Sequence, residues 1–403
     1  MSAIDFLLSI NSKVIKYGLD RTIALLDTCG NPHKQLKSIQ IVGTNGKGST
    51  ASMLANALIE NDYTIGLYTS PHLVHINERI QLNHQPVSTE FMESFIAQYK
   101  QEFIEQQSSF FEIMTVMALK YFEFNNVDFA ILETGLGGRL DSVTAAKSDV
   151  IVYTPIDIDH ISILGGSLQS IANEKSGAIS QHSKLILSTQ QHAIVCDILN
   201  NRAKIFNTAI IYDQPNTETL DFPAKHQAQN ANLSYLTLKH LTDFYSLDIS
   251  FKNIMTVFKK TFWPGRIQFL TKTPDVIFDV AHNDHGLQAF IVYFKTILRQ
   301  YNIKYLVLGF EDGKKIKNSV QVLYEIFDYI IVTETNIKSS MSTDLLFSYH
   351  LSSNSSIIVE KNPIEAIQRA LLKQNTHDVV VILGSHYFGP YIAQIFKNAF
   401  DIK

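Results

Sequence analysis

The sequence holds only two cysteines, Cys29 and Cys196, far apart and outside any C-x-x-C pattern. A disulfide scaffold and a cysteine-built zinc site are excluded, and a reducing compartment suits the chain. No apolar stretch reaches the roughly 20 residues that a membrane-spanning helix requires. The opening stretch MSAIDFLLSINSKVIKYGLD has no positive segment ahead of its apolar residues; it reads as a helix and not as a signal peptide. Nor is there a long basic run: Lys and Arg total 34 against 38 Asp and Glu, for a net charge of -4. Nucleic-acid binding depends on clustered cations, so that partner is disfavoured. An acidic small molecule remains compatible, held by a few local cations. The expectation is a soluble, monomeric, cytoplasmic protein with neither nucleic acid nor membrane as partner.

What the chain has in quantity is apolar residues, 45% against 18% charged, over 403 residues. That supports a large core and, at this length, two or three domains. Short β-rich runs alternate with helical patterns. Strands are expected at Ile39–Val42, Thr64–Tyr68, Phe129–Leu132, Val150–Thr154, Leu185–Leu187, Val276–Val280, Tyr305–Leu308, Tyr329–Val332 and Val379–Leu383. Near-continuous apolar strands separated by helices indicate an α/β fold with parallel sheets covered on both faces. No internal repeat occurs, and SSNSS at 352–356 is a short loop. The best boundary lies in TFWPGRIQF, where the single tryptophan, Trp263, precedes the turn pair Pro264-Gly265 and the strand–helix alternation then restarts. The predicted domains are 1–264, a parallel-sheet ATPase domain of phosphate-loop type, and 265–403, a smaller Rossmann-like α/β domain.

The most informative stretch is SIQIVGTNGKGSTASMLANAL, Ser38 to Leu58. An apolar strand runs into a glycine-rich turn, and an amphipathic helix pattern follows. Backbone N–H groups of such a turn surround phosphates, and the helix N-terminus adds its positive end. Gly43, Thr44, Asn45, Gly46 and Gly48 form the turn, Lys47 supplies a cation, and Ser49 or Thr50 a hydroxyl for Mg²⁺. A plain strand-to-helix turn with a solvated lysine is the alternative, and the strand before and helix after favour the phosphate site. Gly48, between Lys47 and Ser49, departs from the loop of kinases and GTPases.

GTNGKGS resembles the loop of folylpolyglutamate synthases and dihydrofolate synthases, within the ATP-dependent Mur ligase superfamily; its peptidoglycan ligases usually lack the extra glycine. Further stretches carry the resemblance along nearly the whole chain, in order. YTSPHLVHINERIQLN is similar to the family's loop between nucleotide and folate. It implies a magnesium ligand at Ser70 and folate contacts at Pro71 and His72, although a hydroxyl beside a proline is ordinarily a turn residue. FAILETGLGGRLDSVTA ends a predicted strand at Glu133, where open α/β sheets bind ligands. Gly135, Gly137 and Gly138 let the loop pass close to a substrate. The resemblance implies Mg²⁺ on Glu133 and the pterin ring on Asp141, whose carboxylate can accept two hydrogen bonds. Thr144 stands where many members have asparagine.

YTPIDIDHISILGGSLQSIANEKSGAI supplies Asp157, Asp159 and His160. The resemblance implies a magnesium contact at His160; turn-capping aspartates beside a satisfied histidine are the alternative. Lys175, in EKSGAI, corresponds to a lysine that the family carbamylates with CO₂, and a surface Glu174–Lys175 pair is the alternative. By the same resemblance Arg266 meets ATP phosphates, Asn230 the adenine and Asp279 the nucleotide, while His282 and Ser385 take the incoming glutamate. His282 and His285 form an H-x-x-H pair, but without further ligands zinc is disfavoured. Departures occur at Asp284, where many relatives have proline, around Gly313 in GFEDGKKI, and at His386 in GSHYFGP.

The function so implied is ligation of L-glutamate to dihydropteroate or to reduced folates, with ATP, two Mg²⁺ ions and carbamylated Lys175. ATP activates the carboxylate as an acyl phosphate; Lys47, Arg266 and Mg²⁺ offset the moving charge, and two closing domains would exclude water. The competing readings are a ligase acting on a peptidoglycan precursor, a phosphate-loop kinase or ATPase switch, and a non-catalytic folate or nucleotide binder. Lys47→Ala is expected to lower turnover about 100- to 1,000-fold, as loss of one preorganised charge does. Near-wild-type ADP release by that variant would remove Lys47 from the reaction.

Overall fold

Fourteen strands are present among the residues that the computed structural model describes, which are 3–10, 18–214, 222, 224–336, 339–350 and 355–401. Residues 11–17 of the opening stretch and 352–354 of SSNSS lie outside them; Ala3–Ser9 is helical. The chain divides into two units. One comprises Met1–His72, Ile76–Phe222 and His226–Thr261, the other Leu73–His75, Pro223–Lys225 and Phe262–Lys403.

In the first unit the strands are β1 Ser38–Val42, β2 Ile65–Tyr68, β3 Ile80–Leu82, β4 Gln85–Pro86, β5 Phe129–Glu133, β6 Val150–Tyr153, β7 Leu185–Ser188 and β8 Ile210–Tyr212. They form one sheet in the order β4-β3-β2-β5-β1-β6-β7-β8. From β2 to β8 all neighbours are parallel, whereas β3 and β4 are antiparallel additions. Every residue of β1, β2, β5, β6 and β7 is buried, as strands covered on both faces require. Pro86 lies on the edge strand β4, where its missing N–H does least harm.

The second unit has β9 Gln268–Thr271, β10 Asp275–Asp279, β11 Lys304–Leu308, β12 Tyr329–Val332, β13 Ser356–Val359 and β14 Val379–Leu383. Their order is β13-β12-β11-β14-β10-β9, parallel except for β9. All nine strands expected from sequence are present, with ends shifted by at most one residue. The five not foreseen are the four sheet edges, β4, β8, β9 and β13, together with β3.

One expectation is corrected in detail. The helix after the glycine loop, Lys47–Ile59, is not amphipathic in its setting: Gly48–Ala55, Ala57 and Leu58 are all buried. It packs on β1, β2 and β5 and on the helix Ile254–Lys260, so both sides are covered. Small residues on it allow this close approach.

The close packing of β2 yields a test. A Cβ on Gly66 would overlap the ring of Phe122, which is wholly buried. Gly66→Ala should destabilise the first unit by roughly 1–3 kcal/mol through overpacking. Denaturant unfolding measures this, and an unchanged midpoint would contradict it.

Candidate functional site

The order β2-β5-β1-β6 sets four parallel strand ends side by side. Ser70–His72 follow β2, Glu133 closes β5, the glycine loop follows β1, and Asp157–His160 follow β6. Residues separated by as much as 117 positions, Gly43 and His160, thus share one edge of the sheet, where ligands of open α/β sheets bind.

The loop is held from below and from the side. Thr44 N donates to Pro155 O at 2.8 Å, Thr44 Oγ1 donates to Asp157 O at 2.9 Å, and Lys47 Nζ donates to Thr44 O at 3.1 Å. Gly46 caps the helix with φ of 86°, a left-handed value that disfavours a side chain. A Cβ there would also run into Oδ1 of buried Asn230. Asn230 therefore borders the phosphate loop itself. Of the two hydroxyls, Thr50 is fully buried with Oγ1 unpaired, and Ser49 keeps 4% exposure.

Lys175 is not a surface residue. It is 5% exposed, and its Nζ donates to Gly43 O at 2.6 Å. The surface partner of Glu174 is Arg139, at 2.8 Å. Burial, reinforced by the Lys47 cation and opposed by Asp159 and Asp141, lowers the Lys175 pKa to about 7. Gly138 is required by the backbone at this lysine: a Cβ on Gly138 would sit 2.6 Å from Lys175 O.

Glu133 is buried, and its Oε2 accepts from Ser70 N at 3.0 Å, which draws the β2 and β5 loops together. Asp141 accepts from Leu136 N at 2.7 Å and Val143 N at 3.0 Å, so its carboxylate also shapes its own loop. Burial raises its pKa against those hydrogen bonds. Thr144, in place of asparagine, accepts from Gln40 Nε2 at 2.8 Å and donates to Gly138 O at 2.7 Å. Phe111, not singled out from sequence, flanks the same place: a Cβ on Gly135 would lie 3.1 Å from its ring and 3.4 Å from Asp141 Oδ2. A half-buried ring, a bare stretch of backbone and a carboxylate suit a flat heteroaromatic ligand with N–H donors. In sequence, FF at a helix start is indistinguishable from core.

After β6 the two aspartates do cap turns. Ile158 N donates to Asp157 Oδ1 at 2.6 Å, and His160 N to Asp159 Oδ1 at 2.7 Å. His160 is left-handed, with φ of 50°, and its ring is largely exposed. Among the described residues no three His, Cys, Asp or Glu side chains converge as a metal cage. Mg²⁺ does not need one, since it takes one or two carboxylates with water and substrate phosphates. Glu133 with the hydroxyls of Ser49 and Ser70 is a hard oxygen set that fits it.

In the second unit Asp279 ends β10, and Leu383, its register partner, ends β14. Asp279 accepts from Ile267 N and Ala281 N, each at 2.8 Å. Burial raises its pKa, and the Arg266 cation opposes that most. His282 Nδ1 pairs with Val280 O at 2.9 Å, and Ser385 Oγ accepts from Tyr387 N at 3.1 Å. His282 and Ser385 thus follow neighbouring strands of one sheet.

A strand, glycine loop and buried helix of this form define a nucleotide-phosphate site in an α/β protein of two units. Residues 41–254 match the Mur ligase middle domain, and residues 265–386 match the Mur ligase glutamate ligase domain. The dihydrofolate synthase/folylpolyglutamate synthase of Bacillus subtilis is 32% identical over 93% of this chain and 94% of its own length. The structure of Mycobacterium tuberculosis folylpolyglutamate synthase with ADP and AMPPCP is 25% identical and superposes with a TM-score of 0.83, covering 100% of both chains. The Yersinia pestis bifunctional folylpolyglutamate synthase/dihydrofolate synthase, with AMPPNP and a manganese ion, is 25% identical with a TM-score of 0.85, covering 98% of this chain and 99% of that one. The chain belongs to the Mur ligase family, in its dihydrofolate synthase/folylpolyglutamate synthase branch.

Gly46→Ala combines a strained backbone, worth about 1–2 kcal/mol, with the Asn230 overlap. It is expected to weaken ATP binding at least tenfold in calorimetric titration while leaving the second unit folded. Unaltered ATP affinity would show that the loop need not hold this shape.

Proposed function

We propose that this chain joins L-glutamate to the carboxyl group of dihydropteroate, giving dihydrofolate, and to the γ-carboxyl of reduced folates, driven by ATP. The observation that carries the reading is the meeting, on one sheet edge, of the phosphate loop, Glu133, and the Phe111–Gly135–Asp141 wall. The names of the Bacillus and Yersinia relatives, which cover nearly all of the chain, support both reactions.

A carboxylate resists a nucleophile because it is already charged. Its oxygen attacks the γ-phosphorus of ATP, ADP leaves, and an acyl phosphate results. The glutamate nitrogen then attacks the acyl carbon, and phosphate departs as the amide forms. In this reading Gly43–Thr50 cradle the phosphates, Lys47 offsets their charge, and Asp141 and Phe111 orient the pteridine ring. Pro71 and His72 border the acceptor, and Asn230 borders the nucleotide. On the second unit Arg266 and Asp279 serve the nucleotide, and His282 and Ser385 the amino acid. Bound Mg²⁺, held through Ser49, Ser70, Glu133 and His160, would supply neutralising charge to the phosphates.

Lys175 would act as a carbamate. Only a neutral amine adds CO₂, and a buried lysine with a pKa of about 7 is substantially neutral at physiological pH. The neutral fraction grows as pH rises through about 7 and falls below it, so CO₂-depleted enzyme should regain activity with bicarbonate more completely above that pH. Labelled bicarbonate should give a carbamate carbonyl signal by NMR that Lys175→Met lacks. An unmodified amine in bicarbonate, with activity indifferent to it, would refute the carbamate.

The function itself is tested by ADP release with ATP, Mg²⁺ and L-glutamate, adding dihydropteroate in one reaction and tetrahydrofolate in another. Turnover in both is expected. Turnover with one acceptor alone limits the enzyme to that reaction, and silence in both with ATP binding intact overturns the reading.

A further inference from the structure

Arg79 is 6% exposed, a low value for a permanently charged side chain, and it lies beside the Phe111 wall. Burying a guanidinium costs free energy unless its donors and its charge are met. Its Nε donates to His72 Nδ1 at 2.8 Å. Its guanidinium carbon is 5.2 Å from the Phe110 ring centroid and 5.3 Å from that of Phe111. Those rings meet edge to face, 5.7 Å apart, so one cation reaches both. Its backbone carbonyl accepts from Thr69 N at 2.9 Å, directly before Ser70. One residue thereby ties together the β2 loop and the start of the helix Phe110–Phe124.

The bond to His72 also fixes a tautomer. Arginine has no acceptor, so Nδ1 must present its lone pair, and the proton of a neutral His72 sits on Nε2. The ring therefore turns an N–H donor away from Arg79. We propose that Arg79 is the positioning residue of the acceptor pocket: it fixes the ring of His72 through Nδ1 and holds the Phe111 ring against which the pteridine stacks. This rests on the folate reading above and assigns to it a residue that never contacts the transferring phosphoryl group.

Lysine at this position keeps the charge but cannot bond His72 and spread over two rings at once. Arg79→Lys is expected to raise KM for dihydropteroate about tenfold while KM for ATP and kcat stay within about twofold. His72→Ala should raise the same KM, and the double variant should be no worse than the poorer single one, because both act through one contact. Arg79→Ala, if it folds poorly, is replaced by the lysine variant, whose ATP-induced rise in Tm reports an intact nucleotide site. Unchanged acceptor KM in Arg79→Lys, full additivity with His72→Ala, or parallel loss of ATP affinity would each overturn the proposal. Wild-type enzyme without pteroate-dependent turnover would instead strike the folate reading, and the two failures are told apart in the same assay.

Discussion

A strand buried on both faces has room for charged groups and ligands only where it ends. β1, β5 and β6 are wholly buried, and the residues of interest begin where each strand stops: Gly43 after Val42, Glu133 as the last residue of β5, Asp157 four residues beyond Tyr153. Parallel pairing puts those ends on one side. The order β2-β5-β1-β6 then decides which loops are neighbours, so the phosphate loop falls between the Glu133 loop and the Asp157–His160 loop. Had any one of these strands been antiparallel, its loop would have emerged at the opposite edge of the sheet.

Within that edge the glycines are demanded by neighbours as much as by a ligand. Gly46 yields to Asn230, Gly138 to the backbone at Lys175, and Gly135 to Phe111 and Asp141. The electrostatics tighten the same packing. Lys175 donates to Gly43 O while the Lys47 cation disfavours its protonated form. A buried Lys175 and a half-buried Lys47 beside one loop are in tension until a polyanion arrives or one of them loses its charge. Conversion of Lys175 to an anion would turn its repulsion from Lys47 into attraction, which is why this lysine and no surface lysine is suited to the change.

The legible part of the sequence was the part governed by local rules. Apolar runs such as SIQIV and FAILE gave the interior strands, and glycine with lysine and serine between a strand and a helix gave the phosphate loop. The edge strands escaped because they are short and largely unburied; β13 and β8 have no buried residue at all. Phe111 and Arg79 escaped for another reason. An aromatic at a helix start and an arginine in INERIQL become informative only when Arg79 is known to bond His72 and to lie over the Phe111 ring. Glu174 and Lys175 are adjacent and oppositely charged, so sequence offered a surface pair; the helix turns one to Arg139 and buries the other.

The same distinction bears on the departures in the second unit. Asp284 replaces a proline common in the family, yet it is the first residue of the helix Asp284–Ile297, behind the cap Asn283, whose side chain accepts from Gly286 N. Proline favours that position by its fixed φ, and aspartate favours it by its charge at the positive end of the helix. Asp284 also accepts from the buried hydroxyl of Ser319, which in turn accepts from Gln288 Nε2 at 2.8 Å. One way of starting a helix has been exchanged for another, and the exchange is closed by partners on the side of Ser319. The His282 bond to Val280 O and the Ser385 cap on Tyr387 N do not involve it. The substitution thus alters how the helix begins and leaves the adjoining strand ends, with His282 and Ser385, held by their own local bonds.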